Sequence, residues 1–251
     1  MSEKVLETKF EQYKCCVIIP TYNNQKTIEQ IIKDVLVFTS HIIVVNDGST
    51  DATSEILSTF DALQIVSYPK NKGKGWALRQ GFKEALKLGY ENAITIDSDG
   101  QHFADDLPNF LDSLSKNKDT IIIGARNMNQ DEIPGGSSFG NKFSNFWFKL
   151  ETGISMPDTQ SGYRLYPIKK LSKMIFFTKK YEFEIEIIVR AAWKGIKVIP
   201  VPIKIFYAPK NERISHFRPY KDFARVSVLN SILVILTVFY GLPVRLLRKI
   251  F

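Results

Sequence analysis

The sequence predicts an α/β domain with a mostly parallel sheet, carrying an apolar, basic helical tail. Three observations predict it. Short β-branched runs alternate with helix-period segments four times over the first 125 residues, the pattern of βαβ units. Four of the runs end in polar loops, and in open parallel sheets such strand ends line the ligand crevice. Finally, from Lys204 onward nine Lys/Arg face only Glu212 and Asp222, so nearly all of the net charge of +8 sits in the last fifth of the chain.

The elements follow in order. Residues 15–20 form a first buried strand, ending in Thr21-Tyr22-Asn23-Asn24. Ile28, Ile31, Ile32, Val35 and Leu36 fall at helical spacing. His41 to Val45 is a second strand, ending in Asn46-Asp47-Gly48-Ser49-Thr50-Asp51, where Ser49 or Thr50 can cap the next helix. Leu63 to Ser67 is a third strand, followed by the basic loop Lys70-Asn71-Lys72-Gly73-Lys74-Gly75 and a helix marked by Leu78, Phe82, Ala85 and Leu86. The fourth strand, 93–97, runs into Asp97-Ser98-Asp99-Gly100-Gln101-His102. A helix over 105–115 and a fifth strand over 120–124 complete the alternation, and Gly124-Ala125-Arg126 lies at that strand's end. Residues 127–140 are polar and read as a mobile loop over the crevice. An aromatic helix with Phe143, Phe146, Trp147 and Leu150 comes next, then the polar stretch Asp158 to Arg164. Tyr181 to Trp193 is helical, with Glu182, Glu184 and Glu186 read as a solvated face with one inward carboxylate. Pro200 and Pro202 place the last strand, 196–206, at a sheet edge.

Asp97 and Asp99 are the chemical centre of this reading. On an extended chain residues i and i+2 share a face, so the two carboxylates converge at a strand end. Hard oxygen ligands of this kind suit Mg²⁺ or Mn²⁺, which commonly also hold substrate phosphates; Gln101 continues the alternation as a third oxygen. Cys15 and Cys16 are adjacent, point to opposite faces and read as buried thiols. Residues 1–14 are polar and charged and do not read as a signal peptide.

In their order, the motifs from Val17-Ile18-Ile19-Pro20-Thr21-Tyr22-Asn23 through Asp97-Ser98-Asp99 to Arg213-Ile214-Ser215-His216 resemble the family 2 glycosyltransferases of the A-type nucleotide-sugar fold. Within them the chain is most similar to the dolichyl- or polyprenyl-phosphate mannose and glucose synthases. The resemblance implies a nucleoside-diphosphate sugar held by Pro20, Tyr22, Asp47, Lys72, Gly73, Asp97 and Ser98, with Mg²⁺ or Mn²⁺ on Asp97, Asp99 and Gln101. It implies catalytic roles for Asp99, Arg126 and Arg213, the arginines clamping phosphates, and an acceptor site at Asp158, Arg164, Ser215 and His216. The family commonly has Glu where Asn24 stands, and often has Lys where His216 follows Ser215.

The acceptor can be argued from chemistry. A sugar hydroxyl needs a carboxylate base, for which Asp158 and Glu184 are candidates. A lipid phosphate is already ionised and needs cations, which Arg213, His216 and Arg218 supply. The second case is favoured, with polyprenyl phosphate as acceptor, GDP-mannose or UDP-glucose as donor, and inversion by direct displacement. Transfer to a sugar hydroxyl in cell-surface glycan assembly, and a non-catalytic membrane-tethered nucleotide-sugar-binding protein, stay open as alternatives.

Residues 1–210 are expected to form the catalytic domain and 211–251 a membrane-associated tail at the cytoplasmic face. Between Arg225 and Arg245 nineteen residues carry no charge. Ser227, Asn230/Ser231, Thr237 and Gly241 make a small-polar stripe suited to packing against the catalytic body, leaving an apolar face for lipid. Cations at both ends favour a helix lying in the interface over one crossing it. The aliphatic and aromatic content argues against nucleic acid.

Overall fold

A computed structural model describes residues 3–61, 63–127, 135–207 and 218–250. The chain opens with α1 (Glu3–Gln12), β1 (Cys15–Thr21), α2 (Ile28–Leu36), β2 (Ile42–Asn46), α3 (Thr53–Leu57), β3 (Gln64–Ser67), α4 (Lys74–Lys87) and β4 (Asn92–Thr95). It continues with α5 (Leu107–Lys116), β5 (Ile121–Arg126), α6 (Gly135–Thr152), β6 (Arg164–Tyr166), α7 (Ile168–Leu171), α8 (Phe183–Trp193) and β7 (Val198–Ile203). The tail is α9 (Pro219–Leu236), a π-helical turn over Thr237–Gly241, and α10 (Leu242–Ile250).

The seven strands form one sheet in the order β3-β2-β1-β4-β6-β5-β7. All pairings are parallel except those of β6, which runs antiparallel between β4 and β5. Period-2 alternation divides the core. Cys15, Val17 and Ile19 face one helical layer, while Cys16 and Ile18 face the other. The strand order reverses between β1 and β4, so their connections depart to opposite sides and leave a crevice at their carboxyl ends. β7, with Pro200 and Pro202, is an edge strand paired only to β5, as its two missing N–H donors require.

Several expectations change. β4 stops at Thr95, so Asp97 and Asp99 sit in the turn after the strand rather than on its extended end. β6 has no counterpart among the expected elements; three residues are too few to show a period. The expected loop over 127–140 is helical from Gly135, where Phe139 stacks on Phe143 one turn away, while residues 128–134 lie outside the described residues. Glu184 and Glu186 are buried rather than solvated. Glu186 accepts N–H bonds from Phe177 and Thr178 and pairs with Arg190 at 2.6 Å, closing the turn before α8.

The tail shares the core of the sheet domain. Leu229 and Leu233 join the cluster on the α4/α8 face, and Asn230, Thr237 and Gly241 are buried beside them. Gly241 packs so closely on Trp193 that a Cβ there would lie 2.8 Å from the indole nitrogen. Thr237 Oγ1 donates to the Glu151 carbonyl of α6 at 3.3 Å. The expected small-polar stripe thus faces the body, except that Ser231 is exposed. The opposite face presents Val228, Ile232, Ile235, Val238 and Phe239 to solvent. The helix over Tyr220–Leu247, 28 residues, is long and apolar enough to cross a membrane by length and composition.

Candidate active site

Four strand-end loops converge on one cavity of about 550 Å³. Pro20, Thr21, Tyr22 and Asn24 come from the end of β1, Asp47 from β2, Asn71, Gly73 and Lys74 from the loop after β3, and Asp97, Ser98 and Asp99 from β4. Lys180 and Tyr181 close one side, and Arg218 and Asp222 from the first turn of α9 reach the same cavity. The convergence of the four loops was legible in the sequence, and Arg218 was expected among the cations of the acceptor site. The contribution of Lys180, Tyr181 and Asp222 was not, because nothing local marks a contact across the sheet.

Asp47 organises the basic loop. Its carboxylate accepts the Lys72 N–H at 2.8 Å, the Gly73 N–H at 2.8 Å and the Asn71 side-chain amide at 3.0 Å. Gly48, at φ +72°, allows this approach, since a Cβ would lie 2.6 Å from the Asn71 nitrogen. Lys72 itself is exposed, with its ammonium 4.8 Å from the Trp76 ring centroid. Ser98 ties strand ends together. Its hydroxyl donates to the Pro20 carbonyl at 2.9 Å and accepts from the Asn24 amide at 2.5 Å.

The charge at the centre is set by a residue outside the expected set. The Lys74 ammonium lies 2.8 and 2.9 Å from the two oxygens of Asp97 and 3.0 Å from Glu184 Oε2. Burial works against its charge, but Asp97 and then Glu184 more than offset this, and its pKa is raised. Burial likewise opposes charge on Asp97, where Lys74 prevails and holds the carboxyl low. Asp99 has no such partner: burial, then the neighbouring Asp97 charge, push it up to about 6. One Asp99 oxygen accepts the Gln101 N–H at 3.0 Å. Gln101 does not continue the alternation. Its carbonyl accepts the Phe206 N–H, and it is not among the cavity-lining residues.

Arg126 and Asp158 form a bidentate pair, at 2.5 and 3.0 Å. Burial opposes charge on both, yet the pairing holds Asp158 below and Arg126 above their ordinary values. Asp158 is fully buried and also accepts the Gln160 N–H. Arg164, expected at the acceptor, is 1% exposed and does not line the cavity. Its guanidinium donates to the carbonyls of Ser161, Thr159 and Glu184, so it braces the loop before β6 against α8. Arg213, Ser215 and His216 lie outside the described residues.

The donor set fits a divalent cation. Two partly buried carboxylates, two residues apart in the chain, border the cavity, and the Asp97 carboxylate already carries a cation, the Lys74 ammonium. Among the described residues no three His, Cys, Asp or Glu cluster as a closed metal site. An ion here would complete its shell with substrate oxygens.

A nucleotide-sugar fold of the A type, with an acidic turn at its switch point, defines the class: a sugar transferase. Residues 16–175 match glycosyl transferase family 2, and the chain belongs to that family. It is 30% identical over 205 residues to the polyprenol monophosphomannose synthase of Mycolicibacterium smegmatis, covering 74% of this chain and 75% of that one. It is 29% identical over 214 residues to the UDP-N-acetylglucosamine–dolichyl-phosphate N-acetylglucosaminyltransferase of Methanococcus voltae, covering 76% and 85%. It is 27% identical over 226 residues to the dolichyl-phosphate beta-glucosyltransferase of Saccharomyces cerevisiae, covering 77% and 67%. In fold it is similar to glucosyl-3-phosphoglycerate synthase of Mycobacterium tuberculosis, solved with Mn²⁺, UDP and phosphoglyceric acid, at TM-score 0.67 and 19% identity, covering 95% of this chain and 82% of that one. The protein is a hexosyltransferase.

Proposed function

We propose that the protein moves a hexose from a nucleoside-diphosphate sugar to polyprenyl phosphate, with inversion, at the cytoplasmic face of a membrane. The observation that carries this is the junction of the donor cavity with the tail: Arg218 and Asp222 border the cavity, and the same helix goes on to expose Val228, Ile232 and Ile235, with Ser231 among them. The relatives' names, which specify dolichyl or polyprenol phosphate, support the same acceptor. Asp47 and the loop it holds would shape the nucleotide end of the crevice, with Pro20 and Tyr22. Asp97 and Asp99 would hold Mg²⁺ or Mn²⁺, which when bound neutralises charge on the departing diphosphate.

A phosphate acceptor is favoured over a sugar hydroxyl by the state of the two candidate bases. Asp158 is locked on Arg126, Glu184 Oε2 is held by Lys74, and neither residue lines the cavity, so neither is placed to act as base on an acceptor hydroxyl there. A phosphate needs no base, only cations. Arg218 is half exposed at the cavity, and Arg213 and His216 precede it in the chain.

The test is a panel of UDP- and GDP-sugars with the full chain, Mn²⁺ and vesicles containing polyprenyl phosphate, read by mass spectrometry. Glycosyl-phosphoryl-polyprenol from at least one donor is expected. Transfer only to glycan hydroxyls would overturn the acceptor. Replacing Ile232, Ile235 and Phe239 together by Ser is expected to abolish co-sedimentation with vesicles while the chain stays folded.

A further inference from the structure

Lys74 sits where a divalent cation would need to be. Both Asp97 oxygens lie within 2.9 Å of its ammonium, whereas Asp99 is paired only with a backbone N–H. The arrangement is built rather than incidental. Gly162 leaves the space for it: a Cβ there would lie 2.3 Å from Asp97 Oδ2 and 2.6 Å from Lys74 Nζ. Lys74 also begins α4 between two glycines pressed against the segment before and at the start of α8. A Cβ on Gly73 would meet Lys180, and one on Gly75 would lie 2.3 Å from Phe183 Cβ. The Trp76 N–H donates to the Lys179 carbonyl at 2.7 Å, fastening the first turn of α4 to the same segment. Glu184 stands on the first turn of α8, so Lys74 and Glu184 are fixed to each other through their backbones. Asp97 comes from a different element, the turn after β4.

We infer that Lys74 is a positioning residue that guards Asp97: it occupies the carboxylate until a nucleoside diphosphate draws it away, so that the divalent cation binds with the nucleotide rather than before it. The inference rests on the donor site proposed above but not on the identity of the acceptor. An ammonium and a divalent cation cannot share one carboxylate at these distances without strong repulsion. Glu184 retains Lys74 when Asp97 is released, and the diphosphate supplies the negative charge that replaces Asp97 as its second partner. The result is positive coupling between nucleotide and metal, carried by one side chain with two alternative partners.

Mn²⁺ binding to the full-length protein, followed by electron paramagnetic resonance with and without UDP or GDP, tests this without any turnover. The wild type is expected to bind Mn²⁺ weakly alone and more tightly with a nucleotide. Lys74→Gln is expected to bind Mn²⁺ alone about tenfold more tightly than the wild type, and to gain less from the nucleotide. Glu184→Gln leaves Lys74 on Asp97 alone, so its free-protein Mn²⁺ affinity is expected to fall. Thermal melting establishes that each variant is folded. A folded Lys74→Gln that binds Mn²⁺ no more tightly than the wild type overturns the inference. If that variant does not fold, Glu184→Gln decides: lower affinity supports the guard, and unchanged or higher affinity overturns it. Absence of Mn²⁺ binding in every variant with both nucleotides overturns the metal site and the guard together, whereas a failed acceptor screen touches neither.

Discussion

The crevice at the strand ends and the seam between tail and body both enclose polar groups, but they treat charge in opposite ways. In the crevice Lys74 meets Asp97 and Glu184 and the Asp47 carboxylate meets three N–H groups, and at the end of β5, outside the residues that line the cavity, Arg126 meets Asp158. At the seam, both carboxylate oxygens of Glu151 and both polar atoms of the Asn230 amide lack a partner. Burial alone pushes Glu151 up to about 8, so it is uncharged at neutral pH. The contrast separates two jobs. Paired charges fix the loops around the crevice, whereas at the seam apolar packing beside uncharged polar groups holds the helix.

The largest effect should come from breaking the crevice at its least supported carboxylate. Asp99→Ala is expected to lower metal-dependent turnover about 100-fold or more, as loss of transition-state charge stabilisation does, with the melting temperature nearly unchanged. Donor turnover against Mn²⁺ concentration measures it. Asp158→Ala should unfold rather than merely inactivate. It strands the Arg126 guanidinium, 11% exposed, without its partner. Breaking a buried pair costs about 3–5 kcal/mol, to be read by denaturant unfolding.

The seam should respond to shape instead. Gly241→Val drives a side chain into Trp193. Overpacking of this kind costs about 1–3 kcal/mol, with nucleotide affinity in the crevice retained. A further effect sharpens the comparison through pH. Burial raises the folded-state pKa of Glu151 well above the ordinary carboxylate range, to about 8. Its protonated form therefore supports the fold fully at low pH, and that support is lost as pH rises toward 8. Glu151→Gln is expected to remove this slope, so its melting temperature should exceed the wild type's progressively from pH 5 to about 8.

The same contrast explains what could be read from the sequence. The crevice is assembled from strand ends, and strand ends are marked locally by a β-branched run followed by Thr-Tyr-Asn, Asn-Asp-Gly or Asp-Ser-Asp. Parallel pairing then brings those ends together without further instruction. The stripe on the tail was legible for a similar reason, since helical period places Asn230, Thr237 and Gly241 on one face. Contacts between distant segments were not legible. Lys74 reads as one more lysine in a basic loop until α8 brings Glu184 to it, and nothing local shows that the Arg164 guanidinium, expected at the acceptor, braces three carbonyls. β6 carries no period in three residues, and α1 reads only as a polar, charged segment, although Leu6 and Phe10 within it are buried.

The most direct measurement is an experimental structure of the full chain with Mn²⁺ and the nucleoside diphosphate that binds it best. The expected result is a metal about 2.0–2.6 Å from a carboxylate oxygen of Asp97 or Asp99 and from a diphosphate oxygen, with Lys74 still on Glu184 and off Asp97. A diphosphate in the cavity with its metal held by other residues, or with Lys74 unmoved on Asp97, would contradict the account.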